Sequence, residues 1–411
     1  MVRYPRILHP ATIIAGTLLL LLCGIWGLLA LISPAASAES KPSLGQAFPR
    51  AEACKGCHER VFEEWEASPY ARSIHSPAFR VLMDRYLAFS KGKDKGFCFR
   101  CHAPHILEYG EQTEQFISEV QSGGPNVDGI GCTQCHLIKD VDLTGHPPGL
   151  TLQLERTMFG PYDNPVKNLA HKSVKLDLYQ KPAFCLSCHQ PAPTVTRLGP
   201  EANLIGHWQE ASKADKSCQS CHMREQFGES ANGQKARRIV DHAFTARHGV
   251  RRQPAAELAM APAVQGDQTT ITVTIKNRAP HKLPMAHPGW ARLTLDLTIK
   301  GKNLKKVYGE QRHYKRVYAD AKGEETVFDF AATKLLADTT LKPAEERVET
   351  FTFPTPKDTR SFDAVLMLMY APISGPPDFL ETVEALATQG KEDPVFKPIP
   401  LAIQQLNVPL G

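Results

Sequence analysis

From about residue 255 to the C-terminus, apolar and polar side chains alternate in short runs. Thr270-Ile-Thr-Val-Thr-Ile-Lys276 and Leu293-Thr-Leu-Asp-Leu-Thr-Ile299 have a period of two, which predicts strands buried on one face. Val348-Glu-Thr-Phe-Thr-Phe353 continues the pattern. Ala364-Val-Leu-Met-Leu-Met-Tyr370 is apolar throughout, which predicts a more deeply buried strand. Turn residues separate these runs, so residues 255–411 are expected to form a β-sandwich-like domain, with the Pro-rich stretch from Pro372 packing irregularly. Residues 39–254 read differently. Long amphipathic periods are few there and Pro, Gly and polar residues are frequent, so short helices and loops are expected. The fold class that follows is α+β, with more than one domain.

The longest apolar run stands near the start. Ala11 to Ile32 contains 22 residues without a charge, preceded by Arg3 and Arg6. That length can span a bilayer, and the basic flank orients the N-terminus toward the cytoplasm. Ala36-Ser37-Ala38 fits the small-x-small cleavage pattern before Glu39. Residues 1–38 are therefore expected to act in one of two ways. A signal peptide would be cleaved near Ala38 and leave a soluble periplasmic protein; an anchor would hold the chain to the cytoplasmic membrane through residues 11–32. Either way the rest of the chain is exported. The formal net charge of +5 falls to +3 without Arg3 and Arg6. No large basic cluster accompanies it, which sets nucleic-acid binding aside.

Cysteine carries the chemistry. Of eleven cysteines, Cys23 lies inside the apolar run and reads as a hydrophobic residue. The other ten form five pairs: Cys54-Lys-Gly-Cys57-His58, Cys98-Phe-Arg-Cys101-His102, Cys132-Thr-Gln-Cys135-His136, Cys185-Leu-Ser-Cys188-His189 and Cys218-Gln-Ser-Cys221-His222. Cys-x-x-Cys alone serves structural zinc or a redox dithiol as well. Neither use needs a histidine after every pair, whereas haem c attachment does. Two residues between the thiols let both reach the vinyl groups of one porphyrin, and the next residue turns its imidazole onto the iron as proximal ligand. Five covalently attached haems are expected, with His58, His102, His136, His189 and His222 proximal. They would supply the buried apolar surface that so short a stretch of chain lacks. The apoprotein of this region is not expected to fold.

What sits opposite each iron separates electron transfer from catalysis. His75, His105, His146, His171, His207, His242 and His248 are the unassigned histidines of this region. Seven suffice for five bis-histidine sites. His242 and His248, six residues apart, would serve different haems; His171 precedes the fourth motif, and His75 follows the first. His105 is a weaker candidate because Pro104 separates it from His102. His281 and His287, beside Pro284, read as polar residues of a loop; the alternative is that one of them reaches back to a haem.

The region from about Ala53 to Gly249 resembles the multihaem cytochromes of the cytochrome c-554 family, relatives of the electron acceptor of hydroxylamine oxidoreductase. The resemblance rests on Cys54-Lys-Gly-Cys57-His58 followed by Trp65-x-x-Ser68, on Cys98-Phe-Arg-Cys101-His102-Ala-Pro104, and on Gly129-Ile130-Gly131 before Cys132. Gly160-Pro161 ahead of His171, Phe184-Cys185, Cys218-Gln-Ser-Cys221-His222-Met223 and the His-x-Phe segment at His242 add to it. His281-Lys282-Leu283-Pro284 after an alternating strand is similar to a β domain appended in that family. One departure matters: the family continues Trp-x-x-Ser-x-His, and this chain has Tyr70 in the last place. The expectation is that His75 takes over as distal ligand; the alternatives are a tyrosine ligand or an open position.

The resemblance and the motifs together imply an electron relay between a donor and an acceptor protein, a carrier rather than a catalyst. An oxidoreductase acting on a small nitrogen or sulfur compound would need one open haem. A subunit of an extracellular cytochrome filament would need histidines donated between copies.

Overall fold

A computed structural model of the chain describes residues 42–122, 128–144, 149–155, 157–166, 170–189, 217–244, 254–285, 289–357, 359–388 and 398–410. The segment expected to be leader or anchor lies outside them. Among the described residues no helix is long and apolar enough to cross a membrane.

Short helices make up the first half: α1 (Leu44–Ala47), α2 (Glu52–Lys55), α3 (Glu59–Glu66), α4 (Pro77–Ser90), α5 (Phe99–His102), α6 (Thr113–Ser122), α7 (Cys132–His136), α8 (Pro182–Leu186) and α9 (Cys218–His222). Helix α4 is the longest of these, opening on Pro77 in its first turn and ending at Lys91 in the left-handed conformation. Between them run three two-stranded ribbons. Strands β1 (Ile138–Asp142) and β2 (Gly149–Leu152) pair antiparallel, β3 (Thr157–Gly160) and β4 (Lys172–Lys175) pair parallel, and β5 (Glu225–Gly228) and β6 (Arg237–Val240) pair antiparallel. The polypeptide's own apolar packing here is modest. One cluster joins Ile74, Phe79, Met83, Phe99, Ile106, Phe116 and Val120, and a smaller one joins Phe48, Tyr109 and Leu137.

The second half is a two-layer sandwich. One sheet has the order β14 (Glu346–Pro354), β8 (Gln268–Asn277), β7 (Ala256–Gln265); the other has β10 (Lys306–Tyr314), β9 (Arg292–Lys300), β15 (Ser361–Ala371), β16 (Ile399–Pro409). The period of two places Ile271, Val273, Ile275, Phe351 and Phe353 of one sheet against Leu293, Leu295, Leu297, Leu366 and Leu368 of the other. Each such side chain contributes about 1.5–3 kcal/mol on burial. A third, smaller sheet joins β11 (Arg316–Ala319), β12 (Glu325–Thr326) and β13 (Lys334–Asp338).

Two expectations need correction. Strand β15 is not uniformly deep: Ala364, Leu366 and Leu368 are buried, while Val365, Met367 and Met369 are half-buried on its other face. Its apolar character reflects a central place in the sheet, between β9 and β16. The stretch after Pro372 is not irregular either. It forms helix α10 (Pro377–Thr388) and then β16. A proline at the first helical position fits the helix, and β16 is an edge strand, where Pro400 costs no ladder hydrogen bond. Phe379 and Val383 of α10 pack on Ala78 and Val81 of α4, and Arg85 pairs with Asp378 at 3.0 Å. The end of the chain thus returns to its beginning, and from Leu44 to Gly411 the chain is one compact unit.

Candidate functional site

The five cysteine pairs share one local geometry. A helical turn puts residues i and i+3 on one face, so both thiols of a pair point the same way and the next residue follows them. His58, His102 and His189 donate their backbone N–H to the carbonyl of the first cysteine of their motif, at 2.9, 3.1 and 2.9 Å. His136 and His222 close helices α7 and α9. In α9 the Ser217 side chain caps the turn by accepting from the N–H of Ser220.

The ring nitrogens are set from outside the motifs. Nδ1 of His58 lies 2.7 Å from the Ser230 carbonyl, that of His102 2.9 Å from Ser73 O, and that of His136 2.6 Å from Phe159 O. A carbonyl only accepts, so each Nδ1 is the protonated donor and Nε2 keeps its lone pair. Gly129 belongs to this arrangement: a Cβ there would lie 2.1 Å from Ser73 Oγ and 2.7 Å from the His102 carbonyl. Only glycine lets the chain entering the third motif pass so close to the second.

A second ring faces three of these histidines. His58 and His171 have ring centres 6.2 Å apart at 24°, His136 and His242 6.3 Å at 30°, and His222 and His281 6.4 Å at 30°. Two imidazoles trans to one metal ion, with metal–nitrogen bonds of roughly 2.0–2.1 Å, have ring centres about 6.3 Å apart. The second rings are oriented in the same way: Nδ1 of His242 bonds Val240 O at 3.0 Å, that of His281 bonds Lys282 O at 2.9 Å, and that of His171 meets Ser173 Oγ at 3.2 Å. All ten motif cysteines and their five histidines line one continuous cavity of about 2250 Å³, beyond the roughly 300–1,000 Å³ of an ordinary small-molecule site. Most of the rest of its wall is apolar, from Phe62, Phe79, Met83 and Phe184 among others. Paired thiols, trans imidazoles and an apolar wall are the donor set and surroundings that covalently held porphyrins require.

A protein-family model described as "Cytochrome c554 and c-prime" matches residues 53–137. A penta-heme cytochrome c552 from Thermochromatium tepidum matches over 88% of this chain and 100% of its own, with 19% identity and a TM-score of 0.62. The first three motifs thus fall within a match to that family, and the chain has the fold of a penta-heme cytochrome. The C-terminal domain of wzt (10% identity, 38% of this chain and 70% of its own, TM-score 0.20) and the ApaA protein from Bordetella pertussis (12%, 37% and 89%, TM-score 0.18) also match. No curated protein is matched.

The remaining candidate ligands fall into three groups. His248, like His146, His207 and His287, lies outside the described residues. His75 is exposed and does not line the cavity. Tyr70, which does, is five residues away, and a tight turn rotates the chain by roughly 100–120° per residue, so the two side chains point apart. His105 is buried against Phe48 and Phe116 within apolar packing, and burial pushes it down to about 4.

Seven nearer histidines make a distant partner for His222 unnecessary on count alone, yet His281 is the ring that faces it. Only the sandwich brings it beside His222. Asn277, at the end of β8, donates to the His281 and Lys342 carbonyls at 2.9 Å each. The next residue, Lys282, is buried and bonds Asp338 at 2.9 Å, with Arg316 on the same oxygen at 3.3 Å. No local pattern marks Glu64 either, yet it accepts from the His242 backbone N–H at 3.0 Å and from Gln226 at 2.7 Å. Burial holds His136 and His281 down to about 4 and lowers His171, His222 and His242. All are then neutral at pH 7, the form that offers a lone pair to a metal.

Proposed function

We propose that this cytochrome carries one haem on each of its five motifs and relays electrons between redox proteins on the outer side of the cytoplasmic membrane. The observation that carries the relay is the set of three imidazole pairs at trans-metal spacing. Each bound haem supplies a reversible one-electron iron couple. His58 with His171, His136 with His242 and His222 with His281 would hold such a group from two sides, which would favour electron exchange with little rearrangement and leave no place for substrate there. The protein's part is to align the imidazoles through Nδ1 hydrogen bonds such as those of His58, His136, His242 and His281, and to keep water out with the apolar wall.

The motifs are also close together. The thiols of Cys54 and Cys132, of Cys101 and Cys188, and of Cys185 and Cys218 are near neighbours, and Cys135 lies within electrostatic reach of Cys188. The first motif therefore neighbours the third, and the fourth neighbours the second, third and fifth. Such a path supports passage of an electron from one end of the set to the other. Export is supported by Arg3, Arg6 and the apolar run Ala11–Ile32, with residues 1–38 acting as leader or anchor.

Haem counting on the matured protein, combined with a potentiometric titration followed by EPR, tests the reading. Five haems per chain, all reaching equilibrium with one electrode through one-electron steps, are expected. Fewer haems, or a haem that stays out of exchange with the others, would sink it.

A further inference from the structure

We infer that the surface around Phe89, at the end of helix α4 and beside the second motif, docks an acidic redox protein that exchanges electrons there. The inference rests on the relay reading above. Phe89 is 57% exposed, and one exposed phenylalanine by itself is ordinary on a protein surface. What sets it apart is what lies behind it. Its ring meets Phe330 at 5.3 Å, Phe330 meets Tyr86 at 5.5 Å, and Tyr86 stacks on Phe97 at 4.5 Å and 17°. Tyr86, Phe97 and Phe330 line the large cavity together with Cys98 and Cys101. One layer of aromatic rings thus separates Phe89 from the cavity at the second motif. In the path traced above that motif is reached through the fourth, so it stands at an end, where a partner is needed.

The loop between α4 and the motif gives this surface its charge. Lys91 takes up φ of 53° and the Gly92 N–H donates to the Leu87 carbonyl at 3.0 Å, a C-terminal cap that fixes where the loop leaves the helix. Lys91 and Lys93 are exposed, and among the described residues neither has a carboxylate partner. The neighbouring carboxylates are already engaged. Asp94 is paired with Arg100 at 3.1 Å and Glu114 with Lys95, while Asp84, further back on α4, accepts from Gln121 at 2.7 Å. The charge left over at the loop is positive. Leu107, 41% exposed, adds a second apolar side chain, packed on the loop so closely that a Cβ at Gly96 would lie 2.8 Å from its Cδ2.

An apolar contact with a basic rim is the result. Aromatic side chains are enriched at the centres of protein interfaces, and complementary charge at the rim speeds association and selects the partner. Electron-transfer encounters are small, often below roughly 1,200 Å² of buried area, so a surface of this size is on their scale. A carboxylate-rich face on the partner pairs with Lys91 and Lys93 while its own apolar residue meets Phe89. One electron then passes between the partner's redox centre and the haem held by Cys98 and Cys101; the giver is oxidised, the taker reduced, and no atom is transferred. An anionic lipid surface fits less well, because its recognition takes clusters of about four to eight cations.

The test uses the matured full chain, with a plant-type two-iron ferredoxin as acidic probe and mitochondrial cytochrome c as basic probe. Affinity is measured between oxidised proteins by calorimetry, and electron transfer from reduced ferredoxin by stopped flow, each at low and high salt. Wild type should bind ferredoxin, with affinity and rate falling as salt rises. The double variant Lys91→Glu, Lys93→Glu should lower both at least about tenfold at low salt and bind the basic probe more tightly. Phe89→Ala should weaken ferredoxin binding about fivefold or more with its salt dependence kept. Haem content, and reduction by photoreduced lumiflavin, should be the same in all three proteins. Unchanged ferredoxin binding in the double variant, or equal loss with both probes, overturns the inference and leaves the relay standing. So does a wild type that ignores ferredoxin and instead binds phosphatidylglycerol vesicles, or a second copy of itself through the exposed Glu59, Glu63 and Glu66 of α3. A wild type that lumiflavin does not reduce overturns the relay reading beneath it.

Discussion

His105 is fully buried, and among the described residues neither of its ring nitrogens finds a hydrogen-bond partner. An orphaned buried polar group costs about 1–3 kcal/mol, so His105→Leu should stabilise the holoprotein by that order at neutral pH. The pH dependence gives an independent check. Burial holds His105 down to about 4, against roughly 6.5 in the unfolded chain. The unfolded state therefore binds more protons between these values. Stability from the neutral ring is complete above about 6.5 and is lost as pH falls toward about 4, by about 3 kcal/mol in all. Denaturant midpoints should show the advantage of H105L growing from pH 7 to pH 4; a constant difference would mean that the ring is solvated. His281 makes a different kind of statement at this scale. Removing its imidazole in His281→Gly should convert one haem from low-spin to high-spin without changing haem content, and added imidazole should reverse the change. An unaltered EPR spectrum would show that His222 finds its partner elsewhere.

At the scale of elements, helix α10 is the bridge between the sandwich and the first half of the chain. Phe379 is fully buried, against Ala78 and Val81 on one side and Trp290 at 5.9 Å on the other. Arg85 stacks over it at 5.5 Å while pairing with Asp378. The exposed ion pair contributes little, so the apolar contact should dominate. Phe379→Ala is expected to cost about 3–5 kcal/mol, whereas Asp378→Asn should cost under about 1 kcal/mol. Thermal or denaturant unfolding distinguishes the two, and equal effects would assign the bridge to the salt link instead. The turn Tyr70–Arg72 shows how an element overrides a list of candidate residues. Five residues separate Tyr70 from His75, too far round a tight turn for one to stand in for the other.

For the whole molecule, the division of labour between haem and polypeptide sets stability. Residues 44–244 bury small apolar clusters around a cavity of about 2250 Å³, while the sandwich has a continuous core of its own. Chain made without haem attachment should lose the first half to limited proteolysis and leave a protected fragment from about residue 255. Mass spectrometry of the digest reads this directly. Equal resistance across the chain would show that the short helices pack without the porphyrins.

Much of this was legible in the sequence because its physics is local. The five Cys-x-x-Cys-His motifs carry the spacing for haem attachment, which one helical turn imposes. Strands β8, β9, β14 and β15 declare themselves through a period of two that one buried face imposes. Helix α10 and strand β16 were hidden by prolines whose cost depends on position at a helix start or a sheet edge, which local pattern does not display. The second ring at three of the motifs was less legible still. His58 and His171 are separated by more than a hundred residues, and His222 meets His281 only because Asn277 and the buried Lys282–Asp338 pair hold a loop of the sandwich against the first half. Composition fixed that histidines were available; which ones face which motif is a matter of long-range packing. A short sequence pattern records what neighbours on the chain do to each other, and only the tertiary structure decides what meets across the cavity.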